Sequence, residues 1–255
     1  MTIIQVPTNT ELRSLPFARK AGYSPYRSNM DQAGRVQNIA AFGDAQTAER
    51  THDIALSFPY GYFEDQLEVE LNGTATLDND KAMLRGTAIN AGDLVHVTTK
   101  EAILYQSGYD AQCMFTAAFT AYDGPAEVTQ HIGPYDDENG FVIGASRGHL
   151  VIERYKAGAL IETIDQDEFS LDQVDGTRVS GFKVDITKLN SYRIQYGYLG
   201  ILPATFEIFG GSRVGWIPMH TIDLVNVETD TIVENPYLPI RLHAQIVSGD
   251  PGIPI

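Results

Sequence analysis

The sequence predicts an all-β protein: an antiparallel β-sandwich, jelly-roll-like, with an extended N-terminal arm. Apolar residues recur with a period of two in short segments, and Gly, Asn, Asp or Pro separates most of those segments. No run of about 10–15 residues carries a capped 3.6-residue apolar stripe. The stretch from Ser191 to Gly211, SYRIQYGYLGILPATFEIFGG, is the clearest case. Tyr192, Ile194, Tyr196 and Tyr198 alternate there with Ser191, Arg193, Gln195 and Gly197, the pattern of a half-buried strand. Gly200 and Pro203 break the run, Phe206 and Ile208 then alternate with Thr205 and Glu207, and Gly210 and Gly211 end it. Two strands with a tight connection are expected.

Taken in order, residues 1–50 are expected to form the arm. Pro7, Pro16, Pro25, Gly22, Gly34 and Gly43 interrupt any period, and Phe17, Tyr23, Tyr26 and Phe42 are scattered among charges, so the segment cannot bury a face of its own. Residues 1–35 hold Arg13, Arg19, Lys20, Arg27 and Arg35 against Glu11 and Asp31, a net +3, while the rest of the chain carries −18. A basic arm on an acidic body suits docking onto a neighbour's acidic surface. Arg13, Arg19, Lys20, Arg27 and Arg35 would steer the encounter, and Phe17, Tyr23 and Tyr26 would anchor it in apolar pockets.

The body is expected over 51–247, with a tail over 248–255. Its strand-length segments include DIALSFPY, LEVELNGTATL, AMLRGTAI, LVHVTT, CMFTAAFTAY, GFVIGA, HLVIERY, FKVDI, YRIQY, TFEIF, IPMHTIDLV and LPIRLHAQIV. Helix is confined to two weak candidates, around Gln46 to Thr51 and Ser170 to Val174. Strands without intervening helices cannot form βαβ crossovers, so the sheets are antiparallel, folded as a sandwich or a barrel. Frequent alternation favours the sandwich, each sheet buried on one face.

Composition narrows the function. With 43% hydrophobic residues in 255, one main domain is expected. A net charge of −15 speaks against nucleic acid as a partner. No apolar run approaches the roughly 20 residues that span a bilayer, so no membrane partner is expected. Cys113, the single cysteine, lies in the apolar AQCMFTAAF and is expected to be an inert buried thiol. His52, His96, His131, His149, His220 and His243 show neither HxH nor HExxH spacing, and no metal or cofactor motif is present. The clusters Asp136, Asp137, Glu138 and Asp165, Asp167, Glu168 are expected to be exposed turns. Thirteen tyrosines would suit a sugar-binding face, although core and interface positions account for tyrosine as well.

Five blocks together carry a resemblance: ILYQSGYDAQCMFTAAFTAY, QHIGPYDDENGFVIGASRGHLVIERYKAG, DITKLNSYRIQYGYLGILPATFEIF, WIPMHTIDLVN and NPYLPIRLHAQ. Between about Phe58 and Gln245 the chain resembles a group of tailed-phage and other virus proteins described as virion structural proteins. The block from Asp185 to Gly200 is its most specific part. Departures are the IGA of Ile143 to Ala145, where the pattern has FGY, and Tyr198, where it has tryptophan.

The resemblance implies a non-enzymatic bacteriophage virion structural protein made in the host cytoplasm. It would decorate or stabilise the capsid through its arm and sandwich surfaces, with other virion proteins and copies of itself, as a homo-oligomer, for partners. The alternative is a tail- or fibre-associated carbohydrate-binding module for host attachment. A sandwich-fold glycoside hydrolase is a third, more distant option.

Overall fold

A computed structural model describes residues 54–255, apart from 59–60, 62–63, 81–82, 106–108, 199–202, 213 and 228. The expected arm lies outside the described residues, as do its eight proposed contact residues and the helix candidate at 46–51. The rest is β: Leu67–Asn72 (β1), Thr76–Asp80 (β2), Met83–Thr87 (β3), Leu94–Ala102 (β4), Ala111–Ala117 (β5), Glu127–Pro134 (β6), Gly140–Ser146 (β7), His149–Lys156 (β8), Ala159–Asp165 (β9), Asn190–Tyr196 (β10), Ala204–Phe209 (β11), Trp216–Ile222 (β12) and Pro239–Ser248 (β13). A 3-10 turn at Gln166–Glu168 is the helical element among the described residues.

The strands form a seven-stranded sheet in the order β1-β4-β13-β6-β7-β8-β9, a four-stranded sheet β12-β11-β10-β5, and the hairpin β2-β3. Every recorded strand pair is antiparallel. The period of two in YRIQY becomes burial: Tyr192, Ile194 and Tyr196 are fully buried on the inner face of the small sheet, beside Phe206 and Ile208 of β11. Across the sandwich they meet Phe141, Ile143 and Ala145 of β7 and Leu150 and Ile152 of β8 in one core. A satellite core lies on the same face of the large sheet, towards its β1-β4 edge, where Leu67, Val95, Val97 and Ala244 pack against Leu56, Phe58, Leu77 and Leu84.

Several expectations need correction. In DIALSFPY, Ile54, Leu56 and Phe58 do pack against the cores, but Ile54 to Phe58 joins no ladder. FKVDI likewise lends Phe182, Val184 and Ile186 to the core while making only an isolated bridge, Asp175 to Lys183. Alternation therefore forecast burial correctly in both, and pairing wrongly. Two further strands, β6 and β9, complete the large sheet. In EVTQHIGP the outward positions are mixed rather than clearly polar, and ALIETID is an edge strand with Leu160 and Ile161 exposed. Ser170 to Val174 is not helical, since the Leu171 and Asp172 amides donate to Met219 O. At the chain's end, Ile255 exchanges both backbone hydrogen bonds with Ala88. Cys113 faces the core, where burial pushes its thiol up to about 12.

Candidate functional site

Antiparallel connectivity gathers five connections at one end of the sandwich: β4-β5, β6-β7, β8-β9, β10-β11 and β12-β13. The longest, from β12 to β13, crosses this end as a strap over residues 230–238, and its Ile232, Val233 and Leu238 plug the core. Neighbouring connections hold its backbone. Lys156 Nζ donates to Thr231 O (2.6 Å), Arg154 Nη1 to Ile232 O (3.2 Å), Tyr198 Oη to Glu234 O (3.2 Å) and Tyr196 Oη to Pro236 O (3.2 Å). The Glu234 amide donates to Asn139 Oδ1 (2.9 Å), and the Ile103 amide to Leu238 O (2.9 Å).

On this braced frame stand the exposed aromatics. Tyr237, on the strap, is 48% exposed, and Tyr109, on the β4-β5 connection, is 52% exposed; Leu104, on the same connection, is 63% exposed. Tyr105 meets Tyr198 edge to face at 5.6 Å. The acidic clusters form turns, as expected from their composition: Asp136 Oδ1 accepts the Glu138 and Asn139 amides (2.8 and 2.6 Å), and Asp167 and Glu168 lie in the 3-10 turn. Arg241 Nη1 pairs with Asp137 (2.6 Å), and Lys156 with Asp230 (2.7 Å).

A second constellation lies on the outer face of the large sheet. His96 on β4, His243 on β13 and His131 on β6 occupy one cross-strand register. The ring of His243 is 5.7 Å from that of His96 and 6.3 Å from that of His131. His131 Nε2 lies 3.4 Å from Glu153 Oε2, which accepts a 2.6 Å hydrogen bond from Tyr155 Oη. Gly144 is opposite His131, and a Cβ there would collide with the His131 ring and Gln130 O. Burial lowers His131 and His243 to about 4, helped for His243 by His131, His96 and Arg241, and burial also lowers His96. At neutral pH His131 is uncharged, so its approach to Glu153 is a contact and not an ion pair. Burial raises Glu153 as well.

Sequence spacing missed this row because its members are far apart in the chain. The available signal was parity: each histidine sits next to an inward apolar residue, Val95, Leu242 or Ile132. His149 lies exposed beside a turn, His220 Nδ1 accepts the Ser170 amide (3.1 Å), and His52 is outside the described residues. Among the described residues, no group of three His, Cys, Asp or Glu is placed to hold a metal ion.

No family model matches the chain, and no curated protein matches it. Among solved structures it is similar to the receptor-binding domain of botulinum neurotoxin D, with a TM-score of 0.41 and 11% identity over 73% of this chain and 41% of that one. It is also similar to the botulinum neurotoxin serotype D ligand-binding domain in complex with N-acetylneuraminic acid, with a TM-score of 0.41 and 10% identity over 73% and 39%. The chain thus spans about two-fifths of the length of these structures.

The histidine row generates a pH dependence. A histidine with a folded-state pKa lowered from 6.5 to about 4 is preferred neutral in the fold, so its contribution is complete above pH 6.5. It is lost as pH falls from 6.5 towards 4 and levels off below. Glu68, Glu70, Lys100, Asp137, Glu153, Asp165 and Arg241 are the other charged groups on this side, and Glu153, raised by burial, acts in the opposite sense, since its contribution is lost as pH rises. Urea unfolding should show stability falling over that window by on the order of 2 kcal/mol for each of the two histidines. In a His131→Gln, His243→Gln variant the slope should flatten; an unchanged slope would assign it elsewhere.

Proposed function

We propose that the protein is a non-catalytic glycan-binding β-sandwich that serves attachment on a virus particle, with recognition at the strap end. The observation carrying this reading is that Tyr109 and Tyr237 are half exposed at the end where hydrogen bonds from Tyr196 and Ile103 hold the strap. Tyrosine offers a rigid ring with an apolar face and a polar tip, which loses little entropy on binding. Sugars present the matching surface, a patch of C–H groups rimmed by hydroxyls. Three of the nearby carboxylates are engaged within the fold. Asp136 caps its turn, while Asp137 and Asp230 are in ion pairs. The virus context rests on the sequence resemblance, above all Asp185 to Gly200.

On an array of oligosaccharides, the protein should bind at least one glycan class, and Tyr109→Ala and Tyr237→Ala should each weaken that binding by roughly tenfold or more. Circular dichroism would check that both variants keep their sheet content. Binding at full strength by both folded variants would refute the assignment.

A second reading, capsid decoration, is favoured by the charge asymmetry between residues 1–35 (+3) and the remainder (−18). Arms ordered on a neighbour spread contact without enlarging the fold. Here deletion of residues 1–35 should spare folding and abolish incorporation into particles, measured by mass spectrometry of purified virions. Incorporation of the truncated chain at full occupancy would exclude an arm-based mechanism.

A further inference from the structure

We propose that the strap end takes uncharged, hydroxyl-rich glycans and excludes acidic ones. This deepens the glycan-binding reading and rests on it. Three cations that brace this end are already closed: Arg241 by Asp137 and by the ring of Tyr135, 5.3 Å from its guanidinium carbon, Lys156 by Asp230 and Thr231 O, and the buried Arg154 by Glu162 and Ile232 O. Glu138 and Glu234 stand exposed, and no ion pair is recorded for either among the described residues. Asn235 uses its Oδ1 to accept the Tyr237 amide, 3.1 Å away. That leaves Asn235 its Nδ2 as a donor, while the exposed carboxylates of Glu138 and Glu234 are acceptors only, and a ligand complementary to them must bring donors.

A neutral sugar does so with its hydroxyls, which can donate to the Glu138 and Glu234 carboxylates in charge-assisted hydrogen bonds. A sugar carboxylate or sulfate would bring a second anion to the same carboxylates, while the described cations that brace this end are already engaged. The field of the whole chain acts in the same sense, because the net charge outside residues 1–35 is −18 and opposes the approach of anions. Tyr109 and Tyr237 supply ring faces to either kind of sugar, so charge is what separates them.

The test is isothermal titration of the full chain with lactose, maltotriose and chitotriose as neutral probes, and 3′-sialyllactose and a heparin tetrasaccharide as acidic ones. Each is measured at about 20 mM and about 500 mM NaCl, a range that changes screening severalfold. The expected result is that a neutral probe binds at least ~10-fold tighter than any acidic probe, with less than ~2-fold dependence on salt, and that Tyr237→Ala removes the binding. A Glu138→Lys, Glu234→Lys variant should then gain at least ~10-fold for the acidic probes. Preferential binding of an acidic probe, lost on Tyr237→Ala, would overturn the specificity and leave the site standing. Binding of no probe, or binding indifferent to both tyrosines, would overturn the glycan reading and this inference with it.

Discussion

Phe141 lies between the two sheets with its ring 5.1 Å from that of Tyr196 and 6.1 Å from that of Phe206. All three side chains are fully buried. Aromatic rings of this size dominate a core by area, and their tilted and edge-to-face arrangement adds to what burial alone supplies. The contact fixes parity in both sheets. With Phe141, Ile143 and Ala145 turned inward, Val142 and Gly144 must face outward, since a strand cannot slip by one residue without inverting every side chain. Gly140, at φ 137° and bridged to Tyr135, starts β7 at the point where a side chain would strike Tyr135. Tyr196 also works at both of its ends: its ring belongs to the core while its hydroxyl holds Pro236 O on the strap.

The two surface features follow from that arrangement. On the large sheet, parity sends His96, His243 and His131 to the same face, and the missing side chain at Gly144 leaves room for the His131 ring. Cross-strand neighbours interact as strongly in a sheet as neighbours one turn apart do in a helix, so three imidazoles in register titrate as a group. At the strap end, the hydrogen bonds from Tyr196, Tyr198, Arg154 and Lys156 turn an irregular segment into a rigid support. Loops carry recognition best when the scaffold below them is stiff, which here is the aromatic contact between the sheets.

The fold was legible where both halves of the alternation were distinct. YRIQY and TFEIF place Tyr192, Ile194, Tyr196, Phe206 and Ile208 inward with polar residues between, and each is buried as expected. EVTQHIGP was not legible, because Gln130 faces the interior side and donates and accepts with Thr120 while His131 faces out, so polarity does not mark the faces. The candidate site was less legible still. Tyr109 in YQSGYD and Tyr237 in NPYLP sit in segments without a period, so nothing local marks which way either ring faces. Register between distant strands brought the histidines together, and register is a property of the folded sheet.

A double-mutant cycle between the sheets tests the central claim most directly. Phe141→Leu and Tyr196→Leu would be made singly and together, and unfolding free energies measured in urea. If the two rings lock the sheets to each other, the cycle gives a favourable coupling of about 0.5–1.5 kcal/mol. Additive losses, with coupling below roughly 0.3 kcal/mol, would mean that the two sheets are held by burial in general and that this contact sets nothing.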